Sequence, residues 1–283
     1  MIILNKAHGL PLATRFRELG LLAGLLGVLV AGLASAADTA NAHSPLGINI
    51  AGLNYWSTEW TLIDIMKRSG KWLTQCTSQN SPHCTAQEWD THEQDRLDLD
   101  ENGWVRSLPA AADLTTRYRT VATLMLQGDG GAHPVGPYTV LYEGEGTLEY
   151  QFDATKNPEL SQLGRDVVEV KPGTRGILLK IIATDPHKTG NYLRNIRVVP
   201  PGGICNDDPF DYAEDVTVCR ERGGNYTPLI EIVESQRFHP LFLRDLRPYR
   251  VIRFMEFLGA NTSPLLEWAD RPRLEHARWS GDH

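Results

Sequence analysis

The stretch Tyr138-Thr-Val-Leu-Tyr-Glu-Gly-Glu-Gly-Thr-Leu-Glu-Tyr-Gln-Phe152 sets the fold class. Tyr138–Tyr142 and Thr147–Phe152 read as strands, and Glu143-Gly-Glu-Gly146 between them reads as a turn. The pattern continues on both sides. Tyr118–Leu126, Val167–Val170, Ile177–Ala183 and Ile196–Val199 are further strand candidates, punctuated by Gly128-Asp-Gly-Gly131, Lys171-Pro-Gly173 and Asp185-Pro186. Short strands at regular spacing with Gly and Pro turns predict a mainly β chain organised as a jelly-roll-like β-sandwich over residues 44–203, closed by Pro200-Pro-Gly-Gly203.

Upstream, Leu46–Leu53 reads as a first strand and Asn54-Tyr-Trp-Ser-Thr-Glu-Trp60 as an aromatic cluster. Ser57 or Thr58 can cap a short helix with Leu62, Ile63, Ile65 and Met66 on its apolar side. Trp56 and Trp60, four apart, would then share a face. Asp98-x-Asp-x-Asn-Gly103 matches the first half of a calcium loop, but the closing acid falls on Pro109. Asn102-Gly103 between Leu97/Leu99 and Trp104/Val105 is also a hairpin signal, the plainer reading. No metal site is assigned.

Downstream, residues 204–247 form a cysteine loop and a connecting segment. Leu229–Ser235 reads as a short helix or strand, and Phe238–Leu246 as a helix with Pro240 early in it. The apolar run Val251–Leu258, bounded by Pro248 and Gly259, suits a strand buried on both faces, as in a parallel sheet. Arg253 and Glu256, three apart, would lie on opposite faces of it.

The 283 residues, 41% hydrophobic and 22% charged, describe ordinary globular material. Lys6, Arg15 and Arg17 precede the apolar run Leu19–Leu33 and the small-x-small site Ala34-Ser-Ala36, so residues 1–36 read as a secretory signal peptide. The net charge of −7 argues against nucleic acid or an anionic membrane surface as partner and suits a neutral polymer such as a polysaccharide. Four cysteines fit a secreted or periplasmic protein, and the simplest pairing is Cys76 with Cys84 and Cys205 with Cys219. A metal site is the rival reading, with His83 beside Cys84.

Several segments resemble a family of exported bacterial proteins labelled cellulose-binding. They are Gly47-Ile-Asn-Ile-Ala-Gly52 with Trp56-Ser-Thr-Glu59, Leu97–Trp104, Tyr138–Gly146, Arg194-Asn-Ile-Arg-Val198, Phe238-His-Pro-Leu-Phe242, Arg253–Phe257, Asn261-Thr-Ser263 and Trp268-Ala-Asp-Arg-Pro272. The resemblance implies a sandwich-like region followed by a glycoside hydrolase-like (β/α)8 barrel whose first strand is Arg253–Phe257. Residues 248–283 would then be the opening of a barrel cut short, either poorly packed or lying against the sandwich. Glu256 and Phe257 stand where the family usually has Asp and Trp. The carboxylates of such hydrolases would come from later strands, so no catalytic residue is assigned and no cofactor is implied.

Sugar rings stack their C–H faces on aromatic rings. The candidate carbohydrate-binding residues are therefore Tyr55, Trp56, Trp60 and Trp104, with Trp72 also considered, and Arg253, Glu256, Asn261 and Trp268 at the C-terminal strand and loop. The expected function is binding of a cellulose-like polysaccharide. A glycoside hydrolase acting through an unrecognised acidic site and a partner-docking domain are the alternatives. Gly-x-Ser-x-Gly, a phosphate-cradling glycine loop and His-Glu-x-x-His are all absent from the sequence.

Overall fold

A computed structural model describes residues 43–76, 84, 88–261, 263 and 265–280. The expected leader and most of the interior of the first cysteine loop lie outside these residues. The strands are β1 (Gly47–Asn49), β2 (Leu73–Gln75), β3 (Asp98–Leu99), β4 (Val105–Ser107), β5 (Thr120–Met125), β6 (Gly136–Glu143), β7 (Gly146–Phe152), β8 (Ala154–Gln162), β9 (Arg165–Val170), β10 (Ile177–Thr184), β11 (Arg194–Val199), β12 (Gly203–Cys205), β13 (Tyr212–Ala213), β14 (Tyr226–Pro228) and β15 (Val251–Arg253). Among the described residues three short α-helices follow β11: α1 (Val216–Glu221), α2 (Leu229–Ile232) and α3 (Pro240–Leu246).

The chain is mainly β, and its larger sheets are antiparallel. One four-stranded sheet has the order β2-β5-β10-β7 and a second the order β11-β6-β9-β8. The two strands of Tyr138–Phe152 therefore part company, β6 entering the second sheet and β7 the first. Val121, Met125, Leu148, Leu179 and Ile181 from the first sheet share one buried cluster with Tyr138, Val140, Val168, Ile196 and Val198 from the second. Alternation along β10 places Leu179 and Ile181 in that cluster and turns Leu178 and Lys180 to the other face of the first sheet.

Strand β8 is absent from the sequence reading. Thr155, Lys156, Asn157, Pro158 and Glu159 carry no apolar alternation, and Pro158 cannot donate to a ladder. Its place at the edge of its sheet accounts for both, because lysine and proline protect an edge from further pairing.

The helix expected after Ser57 does not form. Arg68, 2% exposed, spends its guanidinium on the carbonyls of Asn54, Ser57 and Glu59, and these bonds hold the segment in an irregular path. Only a 3-10 turn, Ile65–Arg68, is present, capped by the Asp64 side chain accepting from Met66 N at 3.1 Å. Trp56 and Trp60 consequently share no helical face.

The Asn102-Gly103 reading as a hairpin holds: β3 and β4 pair antiparallel across it. Asp100 is occupied there, one carboxylate oxygen accepting from Asn102 N and Trp104 N at 2.9 Å each, the other from the Tyr192 hydroxyl at 2.8 Å. Among the described residues no cluster of ligating side chains could hold a metal ion. Cys76 bonds Cys84 and Cys205 bonds Cys219, with Cα separations of 5.7 and 5.5 Å. These bridges suit an oxidising compartment. Among the described residues no helix is long and apolar enough to cross a membrane.

The C-terminal run differs from its expectation. Strand β15 spans three residues and pairs parallel with β1, Gly47 opposite Val251 and Asn49 opposite Arg253. It is not buried on both faces: Val251 is 62% exposed, because among the described residues no other strand pairs with this couple. Residues 254–260 leave the strand in turns, with Leu258 N donating to Phe254 O and Gly259 N to Glu256 O. Glu256 is therefore off the strand, and the opposite-face argument does not apply to it. The described residues close no barrel. Beyond residue 271 the chain docks again. Trp104 Nε1 donates to Glu275 O at 3.2 Å, Ala277 N to Asn102 O at 2.8 Å, and Ser280 Oγ to Ser69 O at 2.6 Å.

Candidate functional site

The nominated aromatic residues fall into three environments. Trp104 is 1% exposed and Trp72 4%, with their indole N–H groups spent on Glu275 O and Gly103 O. Both are core residues and present no face to a ligand. Trp60 lines a cleft of about 380 Å³ between β1 and α3, together with Asn49, Glu59, Phe242, Asp245 and Tyr249. Its ring lies 5.2 Å from that of His239.

Tyr55 and Trp56 lie on the outer face of the first sheet. Tyr55 packs on the small apolar cluster Ala122, Leu124 and Leu178, and Trp56 meets Tyr55 edge-on at 4.8 Å. Trp56 is 47% exposed. The loop is pinned by Gln127 N donating to Tyr55 O at 3.1 Å and by Ser57 Oγ donating to Gly52 O at 3.1 Å. Gly128 makes this approach possible. A Cβ there would stand 2.1 Å from the Trp56 carbonyl oxygen and 2.7 Å from its Cβ.

The same face carries two aromatic residues that the sequence did not nominate. Phe152, at the end of β7, packs on the Ala122–Leu124–Leu178 cluster, and Trp89 stacks on it at 5.6 Å with 14° between the planes. Trp89 is 42% exposed. Its backbone is clamped alongside β2. Glu88 exchanges two hydrogen bonds with Cys76, and Gln75 Nε2 donates to Trp89 O at 3.2 Å. Next to it the Asp90 carboxylate accepts from the Thr74 hydroxyl at 3.1 Å and from His92 N at 3.0 Å, with Gln94 Nε2 also donating. Burial opposes ionisation of Asp90, but these donors outweigh it and hold the carboxyl below its usual range.

Phe152 itself is held at φ +69°, a left-handed conformation costing an aromatic residue about 1–3 kcal/mol. Its neighbour stabilises the arrangement. The Asp153 carboxylate accepts from Gly173 N at 3.0 Å and Gly176 N at 2.8 Å, tying the β9–β10 loop beneath Phe152. That loop carries Arg175, whose guanidinium lies 4.8 Å from the Phe152 ring centroid. Arg175, Phe152, Trp89, Tyr55 and Trp56 thus form an aromatic strip on one sheet face, with two half-exposed indoles.

The C-terminal nominees lie elsewhere on the chain. Arg253 and Asn261 both direct side-chain nitrogens to the Met255 sulfur, and Glu256 is exposed. Trp268 is 79% exposed, with the Arg271 guanidinium 3.8 Å from its ring centroid. Arg271 also donates to Trp268 O at 2.7 Å. Nothing local marks Trp89 or Arg175 as special, since each is an isolated residue in a polar loop. Their significance comes from pairing with Phe152 across the sheet.

No protein-family model matches this chain, no curated protein is similar to it, and no solved structure matches it.

Proposed function

We propose that this is an exported β-sandwich protein that binds a polysaccharide on the outer face of its β2-β5-β10-β7 sheet. The observation that carries the reading is the aromatic strip Tyr55–Trp56 and Trp89–Phe152, rigidly held yet half open to solvent. What distinguishes these two indoles from singly exposed apolar residues is that both are held beside another aromatic ring on one sheet face. Flat apolar faces rimmed by polar groups match a pyranose ring, whose C–H faces are apolar and whose hydroxyls lie at its edge. The sandwich itself is supported by the core shared between the two sheets and by the alternation of β5, β6, β7 and β8 between them. Export is supported by the leader-like N-terminus and the two disulfides.

Affinity electrophoresis in gels containing soluble β-glucans, xylan, mannan or a uronic-acid polymer tests the reading. Trp56→Ala and Trp89→Ala should each lose most of the retardation shown by the native protein on at least one glycan. Trp268→Ala, on the separate C-terminal loop, serves as the comparison. Native mobility unchanged by every glycan, or retardation that survives both substitutions, refutes the assignment.

A further inference from the structure

Two cations accompany the aromatic strip. Arg175 lies over the Phe152 ring, and among the described residues its guanidinium has no hydrogen-bond or ion-pair partner. A guanidinium stacked on a ring leaves its N–H edge free, and that edge matches a carboxylate bidentately. Lys180 lies on the same face of the sheet, two residues along β10 from Leu178. Its stem is buried against the sheet, while its ammonium reaches solvent and has no acceptor among the described residues. Its cross-strand neighbour Glu149 forms no ion pair with it. An ammonium set at the rim of an aromatic face and unpaired within the chain is placed to receive an anionic group of a ligand.

We infer that the polysaccharide taken by this face carries carboxylate groups, as in a uronic-acid polymer, with Arg175 and Lys180 receiving the carboxylates and Trp89 and Trp56 the ring faces. This rests on the sheet-face reading above and narrows its ligand. The overall negative charge does not oppose it. At physiological ionic strength charges more than about 8 Å apart are largely screened, so the groups beside the ligand dominate.

The test compares cello-oligosaccharides with C6-oxidised cello-oligosaccharides of equal length, which differ only in the carboxylate, by isothermal titration calorimetry on the whole chain. The native protein should bind the oxidised oligomer about tenfold more tightly. That ratio should fall towards one in Arg175→Gln and in Lys180→Gln. Arg175 is exposed, so its variant remains informative even if loss of the buried lysine impairs folding. Equal affinity for the two oligomers, or tighter binding of the neutral one, overturns the inference and leaves polysaccharide binding standing. A preference that persists in both variants also overturns it. Binding of neither oligomer counts against the polysaccharide reading itself and removes the inference with it.

Discussion

His239 makes the fold sensitive to acid in a window that can be calculated. Its ring is fully buried between Trp60 and Tyr212, 5.2 Å from each. Nδ1 accepts from Leu241 N at 3.3 Å and caps α3, so the proton sits on Nε2, which has no partner among the described residues. Burial pushes the imidazole from 6.5 down to about 3. A folded-state value below the unfolded one means that the native state resists protonation. The stability it confers is complete above pH 6.5 and is lost as pH falls towards 3. The loss amounts to about 2 kcal/mol by pH 5 and about 5 kcal/mol below pH 3. Asp90 and Glu93, held below their usual range, lose their contributions only at more acid pH. Asp64 has the opposite sign, since burial raises its carboxyl and acid relieves the penalty. Comparing native protein with His239→Asn cancels these common contributions. Asn retains a cap acceptor but loses the ring packing, so the variant should be about 1–3 kcal/mol less stable at pH 7. By pH 5 that deficit should shrink by about 2 kcal/mol. Urea unfolding followed by tryptophan fluorescence at pH 7, 6 and 5 measures it. A deficit constant across that range refutes the argument that a neutral buried imidazole is required.

Other outcomes follow from single contacts. Asp64→Asn keeps the acceptor for Met66 N and Val198 N while removing a buried charge. It should raise stability at pH 7, and the gain should vanish below pH 3.8, where the carboxyl is protonated in both states; urea midpoints at both pH values check this. Gly128→Ala forces a Cβ against the Trp56 backbone, so it should weaken glycan retardation together with the Trp56→Ala variant while far-UV circular dichroism is unchanged. Trp104→Ala empties the centre of the core and should cost about 3–5 kcal/mol, read by thermal unfolding. Replacing Cys205 and Cys219 together by serine should cost about 2–4 kcal/mol in urea, through the larger entropy of the opened loop.

Local signals carried the strand content. Five of the predicted strands between Tyr138 and Val199 stand within a few residues of their observed bounds, because turn chemistry at Gly144, Gly146 and Pro172 acts over short range. The Asn102-Gly103 hairpin and both disulfides were legible for the same reason. Prediction failed where distant groups intervene. Arg68 strips carbonyls from the expected helix, and β8 lacks apolar alternation because it borders solvent at a sheet edge. The length of the run Val251–Leu258 suggested burial, but burial requires neighbours, and among the described residues only β1 pairs with it.

The amino-acid order alone thus determined a mainly β chain, its turns, its cysteine pairs and its wealth of aromatic residues. Which indoles face water was decided by tertiary structure. Trp104 is sealed beneath the returning tail at Glu275, whereas Trp89 meets Phe152 across a sheet whose strands come from distant parts of the chain. Period and turn residues act through neighbouring dihedrals, but a binding face is made by strand order and register, which no local pattern encodes.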